Sequence, residues 1–186
     1  MEVLRTEAWI RRTVIAHNFC PFARREVDAG RVLYQVSSQS QEGECLLELR
    51  ALCERLLNSK GNDSDYIETA FLIFPQGFDE FFYYLDFLGR ANAVLHSSRL
   101  EGVLQLASLH PNYCFAGEAE SDAANYTNRS PYPMFHLIRE ESLEKALASF
   151  DDPEGIPERN IACARGLGPE LLASVLGECQ GLHPTE

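Results

Sequence analysis

The sequence predicts an α+β (or α/β) fold, a mixed sheet of about four strands packed with helices, and three observations carry that reading. Short β-branched and aromatic runs alternate with longer segments in which apolar residues recur at helical spacing. Glycine, proline and asparagine stand at the boundaries between them. The chain has 186 residues and is 45% hydrophobic, which suffices for one well-buried core.

The elements follow in order. Residues 4–18 read as a helix with Leu4, Ala8, Arg11 and Ile15 on one side and Trp9 beside them, stopped by Pro21. RVLYQV (31–36) is a short β-rich run. QEGECLLELRALCERLLNSKG places Leu46, Leu49, Cys53, Leu56 and Leu57 at helical spacing, with Gly61 as a stop. The run from Tyr66 to Phe74 is apolar enough for a buried, central strand, bounded by NDSD before it and Pro75-Gln76-Gly77 after it. DEFFYYLDFLGRANAVLHSS carries aromatic residues on more than one side, which predicts a helix sandwiched between layers. A third strand spans 102–109 and a fourth, alternating in polarity, spans 133–139. SLEKALASF closes as a helix capped by Ser142.

Strand-helix-strand units favour parallel crossovers, whereas the last two strands, joined without a helix, suit an antiparallel pair. The element order resembles that of thioredoxin-like domains, an analogy of fold that carries no chemistry. Residues 1–150 are expected to form one domain. Residues 151–186, rich in glycine and proline, read as a tail with short amphipathic pieces at about 157–165 and 169–179 that packs on it.

Composition excludes several classes of partner. A formal net charge of -12 disfavours nucleic acid and anionic membrane surfaces, which both attract excess Lys and Arg. There is no apolar run near the ~18 residues a membrane span needs, and the N-terminus lacks the apolar stretch of a signal peptide. The six cysteines lack C-x-x-C or zinc-ribbon spacing, and most are expected as free thiols. A cytoplasmic protein is the expectation.

Four stretches can carry chemistry. In Asn18-Phe19-Cys20-Pro21-Phe22-Ala23 a helix ends and releases Cys20 near the start of another helical turn, with Arg24 and Arg25 nearby; such a position stabilises a thiolate. The alternative is a buried thiol in a proline-terminated turn. CPFA is similar to the glutaredoxin-type C-P-[FY]-C with Ala23 in place of the second cysteine, which removes dithiol chemistry. His110-Pro111-Asn112-Tyr113 lies at the carboxyl end of the third strand, the edge where open α/β sheets gather ligands. His110 is read either as an acid-base group or as a histidine held by a local hydrogen bond. The dipeptide recurs at His183-Pro184, so by itself it says little.

The third stretch, Asn125-Tyr126-Thr127-Asn128-Arg129-Ser130-Pro131-Tyr132-Pro133, is the least ordinary in the chain. Its Asn, Thr and Ser side chains can fix their own backbone and orient main-chain amides to one side. With Arg129 beside them, such amides suit a carboxylate or phosphate; alternatively, Arg129 satisfies loop carbonyls. In the fourth, Met134-Phe135-His136-Leu137-Ile138, alternation puts His136 on one face with Met134 and Ile138. A core histidine bonded to a carbonyl is one reading of His136. A metal ligand with His110, Cys20 or Cys114 is the other, although no diagnostic spacing supports it.

NFCPFA, HPNYCFAG, NYTNRSPYPMFHLIRE and IPERNI, in this order, resemble the bacterial family known as domain of unknown function 1415, with similarity from about Thr6 to Leu167. The resemblance implies no established activity, cofactor or catalytic residue. Two function classes follow from the residues. One is a small enzyme acting on an anionic small molecule, with a pocket between the Cys20 turn and the 110–132 loop: Cys20 and His110 are the catalytic candidates, and Asn112, Tyr113, Asn125, Thr127, Asn128, Arg129 and Ser130 the substrate-binding ones. The other is a non-catalytic ligand-binding or interaction module. Cofactor, reaction class and oligomeric state are not encoded in any of these patterns.

Overall fold

The computed structural model describes residues 1–61 and 65–181. Its sheet has four strands, β1 (Val32–Val36), β2 (Thr69–Ile73), β3 (Leu104–Leu109) and β4 (Met134–Arg139), in the order β1-β2-β4-β3. β1 and β2 run parallel, while β4 is antiparallel to both β2 and β3. The crossover and the final pair therefore have the expected directions, but β4 inserts between β2 and β3. The strands lie within the predicted runs and are shorter than them.

Alternation divides the sheet into two apolar faces. Ala70, Leu72, Phe135 and Leu137 meet α3 (Glu42–Asn58) and α4 (Phe81–Ser97), where Leu49, Leu52, Leu56, Tyr84 and Phe87 are all at most 1% exposed. Phe71, Ile73, Leu109 and Met134 face the other way, against Trp9, Ile10 and Ile15 of the N-terminal helix. α4 is not sandwiched. Tyr84, Phe87, Ala91 and Leu95 form its one buried stripe, while Phe82 is 74% exposed. The extra aromatics reflect local ring contacts such as Phe81 on Phe82 rather than a second layer.

The N-terminal helix changes character along its length: α1 (Glu2–Trp9) passes without a break into a π-helical segment, Ile10–Ile15. An added residue per turn rotates the packed face. Of the residues read on one side, Ile15 is buried with the neighbouring Trp9 while Leu4 and Arg11 are exposed, and Thr6, Ile10 and Thr13 join the buried face. Asn18 then ends the helix in a left-handed conformation (φ 56°), with Asn18 N–H bonded to Ile15 O and Phe19 N–H to Val14 O. This is the Schellman arrangement, with Asn in the position glycine commonly takes.

α2 (Ala23–Asp28) follows directly and leads into β1. α5 (Glu140–Ala148) begins straight after β4, so Ser142 lies within it and is not its cap. Beyond Asp151, α6 (Ile156–Leu167) and α7 (Pro169–Gln180) are separated by Gly168, whose φ of 83° suits glycine, with Pro169 at the first helical position. α7 packs on α1, and its Cys179 is 0% exposed. His183-Pro184 lies outside the described residues.

Candidate functional site

Both ends of the 110–133 stretch are fixed by one side chain. Tyr84, wholly buried on α4, donates its hydroxyl to Met134 O at 2.9 Å and accepts Leu109 N–H at 3.0 Å. Between these ends the chain bonds to itself. Asn125, 0% exposed, accepts Phe115 N–H at 3.0 Å and donates to Ala119 O at 2.9 Å and Glu120 O at 3.3 Å. Asn128 Nδ2 reaches Ser108 O at 3.2 Å, Thr127 Oγ1 donates to Ala124 O at 2.9 Å, and Ser130 Oγ to Tyr132 O at 2.7 Å. A short 3-10 helix, Ala123–Thr127, forms where the sequence reads as loop, capped by the Asp122 carboxylate on Ala124 N–H. The amides of Asn128 and Arg129 both bond Asn125 O, so they serve the turn.

Arg129 is held on three sides. Its Nε donates to Tyr113 O at 3.1 Å, Nη2 donates to Glu120 O at 2.7 Å, and the guanidinium lies 4.6 Å from the Tyr126 ring centroid. Nη1 has no partner among the described residues. Nearby, Arg165 binds both Glu118 and Asp122 at 2.9 Å and holds the Asp122 carboxyl below the usual range. Asn112 is exposed with an unengaged side chain, and Tyr113 is half-buried, its ring against Phe115.

His110 is fully buried and both ring nitrogens are engaged. Nδ1 accepts Asn112 N–H at 2.9 Å, so the proton sits on Nε2, which donates to Phe78 O at 2.9 Å. Burial lowers its pKa and keeps the ring neutral, although the Phe78 carbonyl pulls the other way. Phe78 is in the left-handed region (φ 61°), a strained position for a bulky residue. The imidazole thus ties the turn after β2 to the carboxyl end of β3.

Cys20 lies between the Schellman turn and α2, close to the amides of Phe22 and Ala23. Burial pushes its thiol up and outweighs those two amides. α6 braces the turn: Asn160 Nδ2 donates to Phe19 O at 2.6 Å and Cys163 Sγ contacts His17 O at 3.8 Å. Phe19, Ala123, Ala164 and Leu172 form a small apolar cluster against which Tyr126 packs. The NFCPFA, NYTNRSPYP and IPERNI stretches therefore meet at one junction, with Arg129 over the ring of Tyr126, which packs against the same apolar cluster. No hydrogen bond joins Cys20 to His110 or Arg129.

The two histidines proposed as metal candidates occupy opposite faces of the sheet. The His110 ring lies against Phe81 and Tyr84 of α4, whereas His136 shares its face with Met134 and stacks on Phe71 at 4.2 Å. Sequence reasoning missed Asn160, Tyr84 and Thr69, whose Oγ1 lies 2.7 Å from His136 Nε2. Asn160 sits in IPERNI, a signal that was present; the other two act through contacts with distant segments. A cavity of about 190 Å³ opens elsewhere, between α4 and β3, and is lined by Asn92, Leu95, Glu101 and Glu140 among others.

A family model described as protein of unknown function, DUF1415, matches residues 2–174. Neither the curated proteins nor the solved structures contain a match.

Proposed function

Because the chain belongs to the DUF1415 family, a description that carries no activity, we propose from the geometry that it is a non-catalytic ligand-binding module. In this reading the 110–133 segment presents Arg129 as a pre-set anchor for an anionic small molecule. One observation carries the proposal: Arg129 is immobilised by two carbonyls and the Tyr126 ring while Nη1 stays unengaged. A guanidinium fixed in this way loses little conformational freedom on binding a carboxylate or phosphate. The exposed Asn112 side chain is the nearest additional donor in sequence to the Tyr113 carbonyl that Arg129 grips.

A small enzyme acting on an anionic substrate is the second reading, favoured by the Phe22 and Ala23 amides beside the Cys20 sulfur. It ranks lower because His110 has no free nitrogen. All six cysteines are free, which supports a reducing compartment and, with it, a cytoplasmic location. Among the described residues no helix is long and apolar enough to cross a membrane.

A thermal-shift screen of phosphate and carboxylate compounds tests the binding reading. At least one compound is expected to raise the melting temperature of the unmodified protein by mass action, with the rise lost in Arg129→Gln. A flat response across the panel overturns it.

A further inference from the structure

β3 forms one edge of the sheet, and no strand lies beyond it among the described residues. The alternation of the ladder decides which of its backbone groups look outward. Phe74 N–H bonds Pro133 O, so the odd-numbered residues of β4 serve β2 and the even-numbered ones serve β3. Gln105, Ala107 and Leu109 lie opposite Ile138, His136 and Met134 and direct their N–H and C=O towards β4; Glu140 N–H on Val103 O continues that pattern. Leu104, Leu106 and Ser108 therefore direct theirs away from the sheet. Two of these groups are taken: Leu104 N–H bonds Leu100 O, and Ser108 O accepts from Asn128 Nδ2 at 3.2 Å. Leu104 O, both backbone groups of Leu106 and Ser108 N–H have no partner among the described residues. One more antiparallel strand completes this row, with a single residue opposite Leu106 exchanging two hydrogen bonds with it. LQLASL has no charge, no proline and an unbroken register, so none of the usual devices keeps a strand off it.

The cavity of about 190 Å³ adjoins this edge, since Leu104 and Leu106 line it together with Asn92 and Leu95 of α4 and the acidic Glu101 and Glu140. It is smaller than the roughly 300–1,000 Å³ of pockets that enclose small molecules, and it suits one side chain. Leu104 and Leu106 turn their side chains to the α4 face, where they join the core. Residues directly opposite each other in a sheet share a face. A residue added opposite Leu104 or Leu106 therefore points to the side on which the cavity lies. The Glu140 carboxylate has no partner among the described residues, and Glu101 meets the exposed His96 at 2.8 Å.

We propose that β3 is a docking edge for an extended basic peptide segment of another protein, which adds antiparallel along Leu104–Ser108 and places a lysine side chain in the cavity beside Glu101 and Glu140. Main-chain bonds supply the affinity and the cavity supplies the selection. Charge decides between occupants. A second copy of this chain would bring an edge with no cation to offer and a net charge of -12 against its own kind, whereas a lysine-bearing strand complements both the local carboxylates and the overall field. This edge shares no residue with the Arg129 anchor.

Three end-blocked pentapeptides separate the two requirements: Thr-Val-Lys-Val-Thr, its analogue with Glu at the centre, and the Lys peptide methylated on the backbone nitrogen of its lysine. In an NMR titration of the full chain, the Lys peptide is expected to shift the Leu106 and Ser108 amides saturably and to slow their hydrogen exchange. It is expected to bind about tenfold more tightly than the Glu peptide, the worth of one charge-assisted hydrogen bond. Methylation, which removes the donor to Leu106 O, is expected to abolish binding. The double variant Glu101→Gln, Glu140→Gln is expected to bind the Lys and Glu peptides equally while Leu106 is still protected. Four results each overturn the proposal. They are no saturable shift at millimolar Lys peptide, equal affinity of the unmodified protein for the Lys and Glu peptides, undiminished binding of the methylated peptide, and a dimer in sedimentation velocity whose Leu106 amide is already protected, which would give the edge to a second copy.

Discussion

Tyr84 donates its hydroxyl to Met134 O at 2.9 Å and its phenol oxygen accepts Leu109 N–H at 3.0 Å, so one buried phenol on α4 fixes the residues on both sides of the 110–133 segment. Tyr84→Phe keeps the packing and leaves a buried N–H and C=O without that partner. We expect a loss of roughly 1–3 kcal/mol in unfolding free energy, with faster amide hydrogen exchange concentrated in 110–133. Exchange that quickens evenly over the whole chain contradicts the assigned role.

Asn125 acts inside the segment as Tyr84 acts at its ends. Its amide makes three hydrogen bonds to Phe115, Ala119 and Glu120 from a fully buried position. Asn125→Ala is expected to destabilise the protein by roughly 2–4 kcal/mol, since several buried partners lose their bonds together. Asn125→Asp should also destabilise, because a carboxylate cannot donate to the Ala119 and Glu120 carbonyls. Urea unfolding of both variants checks this, and an unchanged midpoint in either counts against it.

Cys20 is positioned as an activated thiol would be and is chemically quieter than that position suggests, because burial outweighs the neighbouring amides. Alkylation by iodoacetamide, followed by site-resolved mass spectrometry, is expected to be slow at neutral pH and to keep rising above about pH 9. A plateau reached below about pH 7 would mark a stabilised thiolate and would restore the enzyme reading.

The two neutral imidazoles make stability depend on pH. Burial lowers the folded pKa of both His110 and His136, the latter from 6.5 to about 4, so the unfolded chain takes up protons first on acidification. Their contribution is complete above about pH 6.5 and declines towards about pH 4, by at most roughly 3 kcal/mol for His136, which retains some solvent access. His136→Phe should therefore lose less stability than the unmodified protein between about pH 7.5 and pH 4.5 in urea titrations. Equal losses in the two proteins are the contrary result.

The strands and most helices were legible because their signals are local: β-branched runs for β1 and β2, helical spacing in α3, and Gly168-Pro169 between α6 and α7. The π-helical segment was not, since IRRTVI contains nothing that distinguishes it from ordinary helix, and the burial of Thr6 and Thr13 went unread with it. The insertion of β4 between β2 and β3 depends on pairing between distant segments, which no local pattern records. The same holds for the site. Asn125 to Ser130 stood out through hydrogen-bonding capacity, yet their partners include carbonyls up to 20 residues away, such as Ser108 O for Asn128. The role of His110 was settled by Phe78, 32 positions earlier.

The anchoring role of Arg129 is tested most directly by following its side-chain Nε–H resonance, which the bond to Tyr113 O should keep distinct from those of freely rotating arginines, during titration with phosphate and carboxylate compounds. The account predicts a saturable shift with at least one of them while the Nε–H stays protected, because the anion engages Nη1 and leaves the loop carbonyls in place. A resonance that no compound moves, in a protein that retains its fold, would contradict it.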